Sequence, residues 1–291
     1  MKYLPLSILR RSFFWPALAM SALPAHAAIT CSLTANGVTT TYAQTANTSA
    51  TSSLTVNCNR LGSDSAANVT YLLSLDQGEA PNGRDMTRQN GTDKLRYEIF
   101  RNSAFNGTWT TGAGRNSGAT NAGGLDVPIN WAGGTSFSVT IPYYFRINAG
   151  ISLPAGIYDD VANFSLFEAR NGALLGTATA NLNASIVATC FFNSTGAIAL
   201  SYTSFSNIAR TGSSNYSMSC TLGTPYTMAI TPASGALLGL PYTLALSQPS
   251  GVGSAFAQNY SVTATIPSNQ SGICSTGTCS ATQMHQIVIT Y

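Results

Sequence analysis

Charge is scarce in this chain. Of its 291 residues only 8% are Asp, Glu, Lys or Arg, and from Asn171 to Tyr291 the sole charged side chain is Arg210. Histidine is nearly absent: His26 lies in the N-terminal leader described below, which leaves His285. One histidine in an alternating apolar segment reads as a packed or rim residue and gives no basis for a Ser-His-Asp set. Long apolar runs are missing too, so no membrane-spanning helix is expected, and no stretch has a long amphipathic helical period. The remaining signals for chemistry are weak. Asp159 and Asp160 are adjacent, so on a strand they face opposite ways. Asp76, Glu79 and Asp85 lack the spacing of a calcium loop, and no helix follows Gly112-Ala113-Gly114 to make a phosphate site. Triplets such as Asn106-Gly107-Thr108 are what an Asn- and Thr-rich chain contains by composition. The chain is not read as an enzyme, and no cofactor, metal or nucleic-acid partner is expected.

What is present begins with a targeting segment. Lys2, Arg10 and Arg11 precede an apolar core from Ser12 to Leu23, and Ala25-His26-Ala27 is a small-residue cleavage site. Residues 1–27 therefore read as a signal peptide, with the mature chain from Ala28 exported. Removing the three basic leader residues leaves ten basic against ten acidic side chains, so there is no basic bias toward nucleic acid or anionic lipid. All six cysteines lie in the mature part, and an even count in an exported chain favours disulfides.

The body is Ser, Thr, Asn and Gly with short alternating apolar runs between turn residues, which predicts an all-β sandwich architecture. Strands are expected near 30–34, 51–58, 69–75, 94–101, 136–147, 157–168 and 173–187, then near 186–192, 197–202, 213–220, 225–230, 242–247, 258–266 and 284–291. The two series repeat. Cys31 to Cys58 matches Cys190 to Cys220, and Ser138-Val139-Thr140-Ile141-Pro142 matches Val262-Thr263-Ala264-Thr265-Ile266-Pro267. The repeat and the sequence order suggest the pairs Cys31–Cys58, Cys190–Cys220 and Cys274–Cys279, among the connectivities that six cysteines allow. The first copy is much longer between its second cysteine and that proline, so its extra residues read as elaborated loops on a kept scaffold. It then continues into a further alternating segment that the second copy lacks. A β domain one strand short exposes a sheet edge, and such an edge is a joining device. Two domains are expected, 28–185 and 186–291, and the near-chargeless second has little protection against self-association.

The cysteine near the mature start, the second cysteine closing a Thr/Ser-rich strand, Pro154-Ala155-Gly156-Ile157-Tyr158-Asp159-Asp160 and a terminal alternating strand ending in tyrosine together resemble the spore coat protein U domain family. The second copy departs from the pattern: it lacks the Pro-Ala-Gly-x-Tyr element and has Cys274 and Cys279 in its place. The resemblance implies immunoglobulin-like sandwiches that are subunits of archaic chaperone–usher pili. There a periplasmic chaperone, and then an adjacent subunit, supplies the missing strand, and an outer-membrane usher handles export. It further implies a C-terminal pilin domain lacking its last strand, with Ile287, Ile289 and Tyr291 at the acceptor groove. An internal donor strand carrying Leu174, Ala178, Ala180 and Leu182 would complete the first domain. Only Ala28, Ile29 and Thr30 separate the cleavage site from Cys31, too few for a donor strand. The expected role is a two-domain subunit at the pilus tip, on the cell surface, mediating adhesion and biofilm formation.

Topology then predicts where adhesion resides. The connections carrying Arg60 and Leu61, then Phe105, Trp109, Leu125, Val127, Ile129 and Trp131, then Leu174 and Leu175 fall at the pole away from the second domain. Apolar residues in loops point to contact with an abiotic or host surface. The opposing reading tucks each aromatic over the sandwich end. A hydrophobic fingertip would bind surfaces nonspecifically, whereas a pocket of Trp, Asn and Arg would bind sugars. Two other readings of the whole remain: a stand-alone secreted carbohydrate-binding β-sandwich protein, and a coat component that never forms a fibre.

Overall fold

The computed structural model describes residues 29–62, 68–76, 84–109, 124–168, 172–194, 196–275 and 277–291. Among them every helix or strand is a strand. The fold is all-β. Strands β1 (Thr30–Ala35), β2 (Val38–Thr41), β3 (Thr48–Asn59), β4 (Val69–Leu75), β5 (Arg84–Arg88), β6 (Lys94–Phe100), β7 (Leu125–Ile129), β8 (Ser136–Ile147), β9 (Gly156–Glu168) and β10 (Leu174–Ile186) surround one hydrophobic core. A second core is enclosed by β11 (Cys190–Ser194), β12 (Arg210–Cys220), β13 (Pro225–Thr231), β14 (Ser234–Leu237), β15 (Leu240–Leu246), β16 (Ser250–Val252), β17 (Gln258–Ile266) and β18 (Gln286–Thr290). These two sets are called the first and second units.

In the first unit one layer runs β1-β3-β8-β6, and the other places β9 between β4 and β10, with β7 beyond β4 and β2 beyond β10. Strand β5 pairs with β6 on one side and β9 on the other. This is the immunoglobulin arrangement, in which the first strand switches layers: β1 pairs antiparallel with β3, and β2 pairs parallel with β10. Gly37 makes the switch possible, because a Cβ there would collide with the carbonyl oxygen of Asn181. Alternation builds the core. Leu54, Val56 and Cys58 of β3 face inward, as do Tyr143, Phe145 and Ile147 of β8, while the Ser and Thr between them face out.

The second unit repeats this plan. Its layer β11-β12-β17-β15 matches β1-β3-β8-β6, and β13 beside β18 matches β4 beside β9. Cys31 lies opposite Cys58, and Cys190 opposite Cys220, each pair with Cα atoms 4.1 Å apart and joined as a disulfide. A third disulfide joins Cys274 to Cys279. The expected strand at 197–202 is irregular, since Gly196 at φ 142° ends the extended run that began with β11. Strands β2, β5, β7, β14 and β16 were not anticipated from the sequence pattern.

The units meet at residues 187–189. Thr221 anchors this link: its N–H donates to the Thr189 carbonyl at 2.9 Å, and its hydroxyl accepts from the Thr189 N–H at 3.1 Å. Pro154 lies beside Gly223 in the following turn.

Candidate adhesive pole and strand-accepting edge

Strand β3 ends, β8 begins and β9 turns into β10 at the end of the first unit opposite the link. At this pole the Arg60 Nε donates to the Gly134 carbonyl at 2.9 Å, and the Arg60 guanidinium sits 5.6 Å from the Trp131 ring centroid. Arg60 thus fastens the turn that carries Trp131. Of the apolar residues expected at the pole, Leu61 and Leu174 are exposed, at 62% and 57%.

The others correct the sequence reading. Trp109 and Trp131 are each only 2% exposed, and Trp109 packs edge-on against Phe164 with centroids 5.6 Å apart. Leu125, Val127 and Ile129 form β7 rather than a loop. Val127 and Ile129 are buried, and Leu125 is half-buried against the core. Phe105 packs edge-to-face on Phe100 at 5.3 Å and on Tyr144 at 6.2 Å, with the Arg146 guanidinium 5.1 Å over its ring. Leu175 is half-buried against the first core. The physical reason is shared: large apolar side chains gain more from closing the sandwich end than from standing in water. Among the described residues the apolar tip is therefore smaller than expected.

The two units differ most along β9 and β18. β9 carries β10 along its edge, in an antiparallel ladder from Leu174 opposite Phe167 to Ile186 opposite Gly156. β10 buries Ala180, Leu182, Ala184 and Ile186 in the first core, with Ala178 half-buried and Leu174 outside it. The corresponding β18 pairs with β13 only, and among the described residues no strand lies on its other edge.

Its Ile287 and Ile289 reach the second core but stay half-exposed, and Val288 and Tyr291 are exposed. On the opposite lip, Phe192 of β11 lies 5.2 Å from the Tyr216 ring and is itself open to solvent. Tyr216 in turn donates to the Met228 Sδ at 3.5 Å, and the phenols of Tyr226 and Tyr260 are hydrogen-bonded to each other. Burial pushes the Tyr226 hydroxyl well above its ordinary pKa, with the Tyr260 contact adding to the effect. Among the described residues, eleven of the fifteen exposed large hydrophobic side chains lie after Ile186. The second unit is thus a core with an uncovered side.

Sequence reasoning missed a polar hollow on the first unit. A cavity of about 750 Å³ is lined by Asp76, Asp159, Asp160, Asn163, Asn181 and Asn183 together with Val161. Asp76 pairs with Arg84, and Asn163 donates to its other oxygen at 2.7 Å. Tyr97 donates to Asp160 at 2.6 Å and Gln89 to Asp159 at 3.2 Å, so the adjacent carboxylates serve opposite sides of β9. Tyr97 is held well above its ordinary pKa by burial and then by Asp160. Asp85 instead faces Arg96 at 3.6 Å. Among the described residues no group of three or more His, Cys, Asp or Glu could hold a metal. Glu79 and residues 112–114 lie outside the described residues.

Known proteins give the class. A family profile for the Spore Coat Protein U domain matches residues 17–164 and 176–251. The chain belongs to that family. No curated protein sequence matches it. Among solved structures it is similar to a chain of the chaperone–tip adhesion subunit pre-assembly complex of archaic chaperone-usher Csu pili from Acinetobacter baumannii. That likeness has 16% identity, covers 89% of this chain and 99% of that one, and has a TM-score of 0.45. The CupB6 tip adhesin from Pseudomonas aeruginosa gives 11% identity, coverages of 91% and 96%, and a TM-score of 0.44.

Proposed function

We propose that this chain is a two-domain subunit at the tip of an archaic chaperone–usher pilus, exported through the periplasm and mediating adhesion and biofilm formation. The observation that carries this reading is internal to the molecule: β9 is covered by β10, and among the described residues the equivalent edge of β18 is bare. An edge with an apolar lining accepts a strand from another chain by main-chain pairing, with alternate side chains filling the core. A periplasmic chaperone and then an adjacent subunit are the natural donors, with an outer-membrane usher between them. The first unit is completed within the chain, and β1 is occupied by β3, so neither serves as a donor. Adhesion falls to Leu61 and Leu174 beside Arg60.

The test is periplasmic expression of the chain with and without a flexible linker and a shaft-subunit donor strand after Tyr291. Higher soluble yield and a raised Tm in the extended form support the reading, and equal stability overturns it. The Asp- and Asn-lined hollow favours the second reading, a stand-alone secreted carbohydrate-binding β-sandwich protein. That account predicts saturable sugar binding lost in Asn181→Ala and Asn183→Ala.

A further inference from the structure

We infer that the pole of the second unit where β18 begins is a contact surface for the folded body of the subunit whose strand fills the open edge. This rests on the strand-accepting reading and adds a second, separate contact to it. Direction comes from the first unit, where the covering strand β10 runs antiparallel to β9. A strand laid on β18 in the same sense passes from beside Thr290 toward Gln286. When that strand is the N-terminal segment of its own subunit, the rest of the subunit emerges at the Gln286 end.

That end is marked by Gln286 opposite Thr231 and by Arg210 opposite Ile266. It presents four large apolar side chains to solvent: Phe205 at 75%, Ile208 at 59%, Ile273 at 76% and Met284 at 94% exposure. The segments that carry Phe205, Ile208 and Ile273 are held by main-chain bonds. The Phe205 N–H donates to the Gln270 carbonyl at 2.7 Å, Asn269 to Ser206 at 2.6 Å, and Ile273 to Leu238 at 2.8 Å. The Cys274–Cys279 disulfide follows directly. An apolar cluster on fixed backbone is a surface shaped for contact. Arg210, itself exposed, is the only charge in this part of the chain, so a partner face of apolar and uncharged polar groups fits the four apolar side chains provided it leaves Arg210 in water.

The patch is too small to hold a protein alone, since stable interfaces bury on the order of 1,200–2,000 Å². Once the strand is inserted the second contact becomes intramolecular, at an effective concentration of about millimolar, and weak apolar contacts then count. The surface would fix the angle and the lifetime of the joint, while the strand supplies the affinity.

The experiment compares the parent chain with Phe205→Ser/Ile273→Ser, exposed positions where serine leaves the core intact. Each is loaded with a synthetic donor-strand peptide, or with a complete shaft subunit carrying that strand, and dissociation is followed in guanidinium. The expected result is equal release of the peptide from both chains and release of the whole subunit about tenfold faster from the variant. If the parent chain does not take up the peptide, the strand-accepting reading fails. If the peptide binds and the whole subunit leaves both chains at one rate, the patch inference fails.

Discussion

The phenol of Tyr242 and the Nε2 atom of His285 lie 2.5 Å apart, with the two rings edge-on at 5.5 Å. Tyr242 belongs to β15 in one layer and His285 precedes β18 in the other, so this contact pins the free-edged strand to the opposite sheet. His285 Nδ1 also donates to the Pro232 carbonyl at 2.7 Å. Tyr242→Phe should cost about 1 kcal/mol and His285→Ala more. The check is hydrogen exchange of the Ile287 and Ile289 amides, which should quicken in both variants while amides of β3 keep the parental rate.

Trp131→Ala should destabilise the first unit by about 3–5 kcal/mol, because it empties a buried site. Leu61→Ser should stay within about 0.5 kcal/mol and yet reduce attachment. Melting curves and a surface-binding assay on the same preparations separate the two. An equal loss of attachment with full stability in Trp131→Ala would restore the tryptophan to the binding surface.

Within β10, Leu182 and Leu174 should behave oppositely. Leu182 is fully buried and Leu174 is exposed, so Leu182→Ala should cost about 2–5 kcal/mol and Leu174→Ala almost nothing. Denaturant unfolding of the first unit measures both. Gly37→Ala should also destabilise, because the new methyl meets the Asn181 carbonyl and forces β2 away from β10.

Alkali should weaken the first unit. Burial pushes Tyr71 up to about 12, with Glu168 adding to it, and pushes Tyr158 up to about 12, with Asp93 adding to it. A hydroxyl whose folded pKa is raised contributes stability that is complete below the unfolded value near 10. That contribution is lost as pH rises from there through about 12. Tm measured across this window should fall, and Tyr71→Phe or Tyr158→Phe should shallow the fall.

The long strands were legible because their alternation runs far enough to show through exceptions: β3, β8, β9 and β10 have mostly inward apolar and outward polar residues, even with Ile157 and Val161 exposed on β9. The cysteine repeat likewise foretold the disulfide pairs Cys31–Cys58 and Cys190–Cys220. The short strands were not legible. β14 and β16 each contain a glycine and too few residues for a period, and β5 reads Arg-Asp-Met-Thr-Arg, whose charges hide its buried Arg84 and Met86. The adhesive residues were misjudged for a different reason. Leu125-Asp126-Val127-Pro128-Ile129 does alternate, but the proline and the surrounding glycines made it read as loop. Nothing local tells a tryptophan that caps a sandwich from one that projects. The polar hollow was invisible because Asp76, Asp159 and Asn181 are brought together only by pairing between distant strands.

Because β10 is bonded along both edges, to β9 on one side and β2 on the other, it also sets how the molecule would bear tension. A pull applied at the far pole and resisted beyond Ile186 runs along the axis of this strand. Its ladders are then loaded in shear and must yield together, whereas a strand peeled from its end would give way one bond at a time. A molecule anchored to a surface by its first unit would resist drag through the barrier to extracting β10, a rate set by unfolding kinetics rather than by equilibrium stability.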